Sequence, residues 1–420
     1  MINRIKGTQD LLDLTLFNYF LTTVKKHLET YHFKEIATPI LEPTELFKRS
    51  LGTETDVVSK EMYLVHTEHT PTEEKGDICL RPEATASTMR AFLNNSIDTT
   101  PWKVFTWGSM FRHERPQKGR YREFHQISIE IIGSQAIAQD AYFIAMLDRL
   151  FSEKLMLDSY GLLINFMGCH DDRQKFRQQL LAFVEKNSDK ICANCTHRKD
   201  KNILRVLDCK TPSCQELYQN APKITDALCE SCSQEWKLLQ SLLEQLSVSY
   251  SPMPSLVRGL DYYGKTVFEF VSISDLGAQN TFCGGGRYDS LAKMLGAKDD
   301  KPSIGAAIGI ERMLLMLEQS KELPLPQPAR LHAIVPLSAE QIPLCLQIAD
   351  LLHANDLCAE LLLENDSIKS KMRQANKLGA RYALIVGSNE QAAGTVTLKD
   401  MVQGTESSLP QRDIVSALLS

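Results

Sequence analysis

Apolar residues at helical spacing mark the first predicted element, a helix over residues 11–31 in which leucine, phenylalanine and valine recur every three or four positions. Farther along the chain, two apolar stretches with strand character are predicted at 102–111 and 124–133. After the first helix comes "FKEIATPILEPTELF", a strand pattern that Pro39 and Pro43 interrupt. Proline cannot donate a hydrogen bond to a β-ladder, so we expect this strand at a sheet edge or an interface.

The middle of the chain is different in character. An amphipathic helix predicted over about 138–156 leads into residues 171–250, a polar, helical and cysteine-bearing stretch. Strand character then returns at "TVFEFVSI", before a glycine-rich turn, "CGGGRYDSL", and a strand-to-helix unit, "SIGAAIGIERMLLML". Three prolines within 324–328 predict a linker.

Strands and helices alternate beyond the linker. The predicted elements are strand 331–336, helix 339–354, strand 357–363, helix 367–378, strands 381–387 and 394–400, and helix 410–419. Such alternation is typical of a compact α/β domain. We therefore predict an α/β (α+β) protein with a core formed by 1–170 and 251–322, an insertion at 171–250, a linker at 323–329 and a C-terminal domain at 330–420.

Composition narrows the class of protein. The chain has 420 residues, enough for two or three domains, and its 43% hydrophobic and 24% charged residues are ordinary for a globular protein. A membrane-spanning helix needs about 18 consecutive apolar residues. No apolar run in the chain is that long, so the sequence predicts no such helix. The N-terminal segment lacks the apolar core of a secretion signal, so we expect a cytoplasmic protein whose eleven cysteines are reduced or metal-bound. The net charge of −5 argues against wholesale wrapping of nucleic acid but permits local basic patches.

Arginines are concentrated in the loop between the two apolar strands, at positions 112, 115, 120 and 122 of "FRHERPQKGRYR", and Arg81 lies upstream. A lone basic loop is usually a solvated turn. Here the return strand places Phe124, Gln126 and Glu130 on one face, since side chains alternate along a strand. An aromatic ring, an amide and a carboxylate beside guanidinium groups, which bind carboxylate or phosphate in bidentate fashion, favour a binding floor over a plain core.

Further polar residues occur at the ends of other predicted elements. "CLRPEATASTMRA" carries Glu83 and Thr85 just before a helix, where helix capping is the alternative explanation. "LVRGLDYYGKTVFEF" carries Arg258, Asp261, Tyr262 and Tyr263 in a glycine turn that could equally be structural. Arg312 lies in the otherwise apolar helix of "GIERM", and because a buried arginine is rarely unpaired, we expect it to meet a phosphate or carboxylate.

Together these motifs resemble those of the class II aminoacyl-tRNA synthetases, and specifically the histidyl-tRNA synthetase family. The first class motif corresponds to "FKEIATPIL" with Pro39, the second to "FRHE" and "RYREFHQ", and the third to "GAAIGIERM" with Arg312. "LVRGLDYYGKTVFEF" and "CGGGRYDSL" match stretches particular to the histidine enzymes. The resemblance spans almost the whole chain. It implies an antiparallel-sheet catalytic domain with a helical insertion, followed by an anticodon-binding domain.

The resemblance also implies the activity, ATP-dependent ligation of L-histidine to its tRNA through a histidyl-adenylate. The implied histidine-binding residues are Glu83, Ala84, Thr85, Arg112, Gln126, Glu130, Arg258, Tyr262 and Tyr263. The implied ATP-binding residues are Arg112, Glu114, Arg120, Phe124 and Arg312, with Mg²⁺ bound to the nucleotide and with Arg112 and Arg258 catalytic. A homodimer built through residues 36–50 is expected.

Two CxxC pairs in the insertion, Cys192 with Cys195 and Cys229 with Cys232, predict a structural zinc site in a reducing compartment. Cys209 and Cys214 lie between them and leave the choice of four ligands ambiguous; the two CxxC pairs are the predicted set. The alternative is a set of unbound thiols on a helical insertion.

Basic stretches give candidate RNA surfaces at "HRKDKNILR" in the insertion and at "SIKSKMRQANKLGAR" in the last domain. The second contributes Lys369, Lys371, Arg373, Lys377 and Arg381. Two other functions remain as alternatives: a non-catalytic synthetase-like subunit that regulates histidine biosynthesis, and an RNA-binding module with a vestigial site. The regulatory relatives typically lack the C-terminal domain and lose the "RGLDYY" residues, whereas this chain has both.

Overall fold

The computed structural model of the protein describes residues 1–53, 55–258, 262–273, 280–319, 323–326, 329–364 and 367–419. It divides into two compact units, Met1–Leu325 and Pro326–Ser420. Asp261 and two residues of the predicted linker, 327 and 328, lie outside the described residues. No helix in the described parts of the chain combines the length and the apolar character needed to cross a bilayer.

A large, mainly antiparallel sheet forms the centre of the first unit. The strands of this unit in chain order are β1 (Lys34–Glu35), β2 (Leu41–Pro43), β3 (Leu64–Val65), β4 (Ile78–Leu80), β5 (Trp102–Phe111), β6 (Glu123–Ile132), β7 (Tyr160–Phe166), β8 (Ser251–Pro252), β9 (Gly264–Ser272), β10 (Thr281–Arg287) and β11 (Ser303–Gly309). Within the described residues the large sheet has the order β1-β5-β6-β11-β10-β9-β7-β8, and β2-β4-β3 form a small separate sheet. Only the short strands β1 and β8 join the large sheet in parallel. The predicted antiparallel fold is confirmed.

Helices cover one face of this sheet. The helices of the first unit are α1 (Thr15–Thr30), α2 (Thr44–Leu51), α3 (Thr85–Asn94), α4 (Ile137–Arg149), α5 (His170–Lys186), α6 (Ala193–Lys201), α7 (Pro212–Tyr218), α8 (Glu230–Gln245), α9 (Leu291–Met294) and α10 (Ile310–Leu317). The apolar faces of α1, α4 and α10 share one buried cluster with the sheet. Helix α1 begins four residues later than predicted, because the Asp13 carboxylate accepts a hydrogen bond from the Thr15 backbone N–H at 2.8 Å.

The pleat of β6 separates the core from the polar face. Ile127, Ile129 and Ile131 are buried in the helix-covered core, and the alternate positions point to the other face. There Phe124 and Gln126 line a cavity. The predicted placement of these side chains on one face is therefore confirmed by the strand register.

The insertion has a core of its own. Helices α5, α6 and α7 enclose buried residues that include Phe176, Leu180 and Val206 together with several cysteines. Helix α8 instead packs its Leu239 and Leu243 into the main core. Helix α8 thus joins this stretch to the main core of the first unit, while α6 and α7 are short helices on a small core.

In the part of the second unit that the structure describes, five strands form one sheet, and helices accompany it. Its strands are β12 (His332–Pro336), β13 (Ala359–Leu361), β14 (Tyr382–Val386), β15 (Thr395–Asp400) and β16 (Glu406–Pro410), in the order β13-β12-β14-β15-β16. Its helices are α11 (Ile342–His353), α12 (Ile368–Lys377), α13 (Ser388–Ala393) and α14 (Ile414–Leu419). The sequence did not predict β16 or α13, because both are short and polar and carry no clear apolar period.

Candidate active site

A cavity of about 540 Å³ opens on the face of the large sheet opposite the core helices. Strands β6, β9, β10 and β11 contribute to it, together with the loop between β5 and β6. Eleven residues predicted from the sequence line it: Glu83, Thr85, Arg112, Glu114, Arg120, Phe124, Gln126, Arg258, Tyr262, Tyr263 and Arg312. Stretches that lie more than 200 residues apart in the chain therefore meet in one place.

One end of the cavity is rich in acceptors. Glu83 accepts hydrogen bonds from the backbone N–H groups of Thr85 at 2.7 Å and Ala86 at 2.8 Å, so it also caps helix α3. Burial raises the pKa of Glu83, although these two N–H groups oppose the shift. The buried Oε1 atom of Gln126 has no hydrogen-bond partner among the described residues. A buried acceptor without a partner is costly, so this end fits a ligand that donates hydrogen bonds.

Glu130 lies beneath this acceptor-rich end. Its side chain is buried, with one oxygen accepting from the Thr85 hydroxyl at 2.7 Å and the other from the Tyr288 hydroxyl. Burial raises the pKa of Glu130 to about 8, because the two hydroxyl donors only partly offset the loss of water. Ala84, the remaining residue of the predicted histidine set, is buried immediately before α3.

The other end of the cavity is cationic. Arg112 donates through Nε to the Pro82 carbonyl at 3.0 Å, and its guanidinium carbon lies 5.4 Å from the centroid of the Phe124 ring. Burial, together with the positive charges of Arg120 and Arg112, lowers the pKa of Arg312 to about 10. Arg312 is held by the carbonyls of Gly119 at 3.0 Å and Thr281 at 2.6 Å. Clustered positive charges that depress one another's pKa favour the binding of a polyanion.

Arg258 also lines the cavity. It pairs with Glu269 of strand β9 and lies 5.4 Å from the ring centroid of Tyr263. Burial opposes its charge, but the Glu269 carboxylate together with Tyr263 and Tyr262 outweighs burial and raises the pKa of Arg258. A Cβ atom at Gly284 would overlap the guanidinium, so the glycine is needed for this close approach. A second pair, Arg120 with Glu114, lies in the loop above the cavity.

Sequence reasoning missed two side chains that organise the site. Tyr288 belongs to "CGGGRYDSL" and holds Glu130. Glu269 belongs to "TVFEFVSI" and pairs with Arg258. Both lie in stretches singled out in the sequence. The pairing of β6, β11 and β10 brings Tyr288 close to Glu130, and the pairing of β9 with β10 places Glu269 opposite Gly284, against which Arg258 packs. Arg81, by contrast, is structural, since it donates to the Thr38 carbonyl and hydroxyl, each at 3.0 Å.

The predicted zinc ligand set is wrong. Cys192 and Cys195 lie with Cys209 and Cys214, whereas Cys229 and Cys232 lie in another group with Cys169 and Asp172. The two CxxC pairs begin different helices, α6 and α8, which pack into different cores. Four thiols from these two pairs therefore do not surround one point.

The basic stretch of the last domain also needs correction. Lys371 is buried and donates to the Pro336 carbonyl at 2.9 Å, and Arg381 pairs with Asp400 at 2.7 Å. Three predicted basic side chains of this stretch are exposed: Lys369, Arg373 and Lys377.

Family models match both units. Residues 17–313 match the model described as histidyl-tRNA synthetase, and residues 332–420 match the model described as an anticodon-binding domain. The first match covers more than half of the chain, and the two together leave few residues unmatched.

Curated relatives are similar over their full length. A histidine–tRNA ligase of Oleidesulfovibrio alaskensis is 42% identical over 413 residues, 97% of each chain. One of Syntrophotalea carbinolica is 40% identical over 422 residues, covering 100% of this chain and 98% of the relative.

Solved structures share the fold. The apo histidyl-tRNA synthetase of S. aureus is similar with a TM-score of 0.81 and 29% identity over the whole of both chains. An ATP phosphoribosyltransferase regulatory subunit/histidyl-tRNA synthetase of Bacillus halodurans is similar with a TM-score of 0.63 over 92% of this chain and 99% of its own. Its 17% identity supports a shared fold alone.

Proposed function

Because the chain belongs to the histidyl-tRNA synthetase family, we propose that its first unit activates L-histidine with ATP and transfers the histidyl group to tRNA, releasing AMP and diphosphate. The observation that carries this assignment is the two-ended cavity. Its acceptor-rich end suits the ammonium and imidazole groups of histidine. Its arginine-rich end suits a carboxylate next to a triphosphate.

The amino-acid end has acceptors for each donor of the substrate. The ammonium group would donate to Glu83, Gln126 and the Thr85 hydroxyl, and the partnerless Oε1 of Gln126 supports this position. Glu130 and Tyr263 would contact the two imidazole nitrogens. A pocket matched to both nitrogens rejects apolar substitutes, because they would leave its buried groups unpaired.

The nucleotide end would bind ATP as its Mg²⁺ complex. The adenine ring would stack on Phe124 with Glu114 at its edge, while Arg120 and Arg312 would contact the β- and γ-phosphates. Arg112 and Arg258 would lie at the α-phosphate, where Arg112 would also hold the histidine carboxylate. The restraint of Arg258 by Glu269 and of Arg112 by the Pro82 carbonyl supports fixed positions for both charges.

The chemistry requires positioning and charge neutralisation. A carboxylate oxygen of histidine attacks the α-phosphorus in line, and the bond to the bridging oxygen breaks as diphosphate leaves. The nucleophile is already ionised, so no general base is needed for this step. Guanidinium groups fixed beside the α-phosphate stabilise the charge that builds up there. A ribose hydroxyl of the tRNA then attacks the carbonyl of the adenylate and AMP leaves.

The remaining assignments concern partners and domains. We infer that 1–170 and 251–322 form the catalytic core, that 171–250 is an insertion, and that 330–420, beyond a linker at 323–329, binds the anticodon. The exposed Lys369, Arg373 and Lys377 on α12 would contact the tRNA backbone. Translation takes place in the cytoplasm, where we expect the enzyme to work.

A homodimer through residues 36–50 is part of the proposal. Leu41 of β2 and Ile78 of β4 lie on the same face of the small sheet and are 53% and 48% exposed. An apolar face of this kind supports contact with a second copy of the chain.

Histidine-dependent exchange of labelled diphosphate into ATP, measured without tRNA, tests the function. We expect exchange with L-histidine and none above background with other amino acids. Both non-catalytic alternatives, the regulatory subunit and the RNA-binding module, predict no exchange at all. Failure of well-folded protein to catalyse exchange would overturn the assignment.

A further inference from the structure

Four thiols of the insertion meet at one point. The Sγ atoms of Cys192, Cys195, Cys209 and Cys214 all lie within 4.8 Å of one another. Cys195, Cys209 and Cys214 are buried, and Cys192 is partly buried. In sequence they form a C-x2-C-x13-C-x4-C pattern, two pairs separated by a longer segment. This spacing is of the kind found in structural zinc sites.

The distances suit a tetrahedral ion. The Sγ atoms of Cys192 and Cys209 are 3.7 Å apart. Sulfurs placed 2.3 Å from a zinc ion at tetrahedral angles would lie about 3.8 Å apart, whereas a disulfide requires about 2.05 Å. The Cys192–Cys209 pair thus already has nearly the separation that one zinc ion would impose, and all four sulfurs lie within 4.8 Å of one another.

Backbone N–H groups point at the sulfurs. The Cys192 N–H donates to the Cys214 Sγ at 3.2 Å, and the Thr211 N–H donates to the Cys209 Sγ at 3.4 Å. Such donors stabilise thiolates more than thiols, and they orient the sulfurs around a metal as outer-shell partners do.

The second cysteine group has a different explanation. Its Asp172 carboxylate accepts from the Cys169 N–H at 3.1 Å and from the Cys229 N–H at 2.8 Å. The carboxylate therefore joins the start of α5 to the start of α8 by hydrogen bonds alone. Because Cys229 is also exposed, this group serves as an internal control for the four-thiol cluster.

We propose that Cys192, Cys195, Cys209 and Cys214 bind one Zn²⁺ ion as a structural site. Four thiolates leave no open coordination position, so the ion takes no part in the ligation chemistry. It ties the start of α6 to the start of α7, two helices of nine and seven residues. Helices this short are marginal without tertiary restraint, and the ion supplies that restraint.

The position of the ion relates it to the catalytic cavity. Asp208 and Lys210, which flank Cys209, both line the cavity. Because Cys209 is bonded to both of these residues, an ion bound to its sulfur would hold this wall of the cavity in place. Loss of the ion should loosen this wall and the insertion core while the large sheet stays folded.

Elemental analysis of the full chain, purified without chelator or histidine tag, tests the proposal. We expect about one equivalent of zinc per chain for the wild type. The Cys209→Ser/Cys214→Ser variant should lose that equivalent, and the matched Cys229→Ser/Cys232→Ser variant should keep it. Less than about a tenth of an equivalent in the wild type, iron in place of zinc, or loss only in the control variant would each overturn the proposal.

A second measurement does not depend on the variants folding. Zinc is removed from the wild-type chain with a chelator and replaced by Co²⁺. The expected spectrum has the intense thiolate-to-cobalt charge-transfer absorption and the d–d bands of tetrahedral cobalt with four sulfur ligands. A spectrum of octahedral cobalt, or one that reports fewer than three thiolates, would contradict the site.

Discussion

Replacing Glu130 by glutamine should change stability and substrate binding in opposite directions. The buried carboxyl has a pKa of about 8 against an ordinary value of 4.5, so the folded chain holds a proton that the unfolded chain releases. Stability from this group is complete below pH 4.5 and is lost as the pH rises towards 8. At about 1.4 kcal/mol per pH unit, the wild type loses about 5 kcal/mol over this interval. Glutamine cannot ionise, so the Glu130→Gln variant should not show this loss of stability with rising pH.

The assay is urea unfolding, followed by tryptophan fluorescence at several pH values between 5.5 and 8 without histidine. The free energy of unfolding of Glu130→Gln, relative to wild type, should rise with pH by about 1.4 kcal/mol per unit. Glu45→Gln, which alters an exposed carboxylate paired with Arg49, is the matched control and should follow the wild type. Parallel curves for Glu130→Gln and wild type would refute the reasoning.

The same variant tests the proposed contact with the imidazole ring. Leaving a buried hydrogen-bonding group unsatisfied costs roughly 1–3 kcal/mol, so the substitution should raise the KM for histidine by roughly 5- to 150-fold. The KM for ATP should change little, because Glu130 lies at the amino-acid end of the cavity. An unchanged KM for histidine would exclude Glu130 from the recognition of the side chain.

Four other outcomes are expected. Arg258→Lys, which preserves a positive charge beside its carboxylate partner, should lower diphosphate exchange roughly 100-fold without unfolding the protein, and near-native exchange would exclude a catalytic role. Asp140→Ala removes the buried carboxylate that pairs with the buried Arg287 and leaves Asp289 as its remaining partner, so it should cost about 3 kcal/mol in urea unfolding; a loss below about 1 kcal/mol would contradict a stabilising role of the Asp140–Arg287 pair. The double substitution Lys369→Glu/Arg373→Glu should raise the KM for tRNA at least about tenfold and leave diphosphate exchange unchanged. Equal effects on tRNA charging and on exchange would rule out α12 as a tRNA-binding surface. Light scattering at micromolar concentration should give a molecular mass twice the 47.4 kDa of one chain, and a mass of 47.4 kDa would exclude the dimer.

The side chains that β6 contributes to the site could be predicted, because their alternation depends only on neighbouring positions in the sequence. Side chains alternate along a strand, so Phe124, Gln126 and Glu130 had to share a face once β6 was identified. Lys371 could also have been excluded from the RNA surface, since it lies one helical turn before the buried Ala375. Contacts between distant elements had no such signal. Tyr288 reaches Glu130 across 158 residues, and only sheet register determines that pairing.

The cysteines show a second reason why the sequence alone did not predict every contact. Spacing identifies residues able to bind a metal but does not say which pairs meet. Residues 192 and 195 could have met either later pair, and the choice is made by how α6 and α7 fold onto the small core of the insertion. That packing depends on short helices whose boundaries carry little periodic signal.

The position of β6 between β5 and β11 in the large sheet has a consequence for how the chain is made. Strand β6 ends at Ile132, but its partner β11 begins at Ser303, 171 residues later (303 − 132). At about 5–20 residues per second, a ribosome needs roughly 10–30 s to supply that partner. Throughout this time one edge of the ten-residue strand β6 has no neighbouring strand and is free to pair with other chains. We therefore expect a fragment that ends before residue 303 to aggregate rather than persist as a stable half-enzyme.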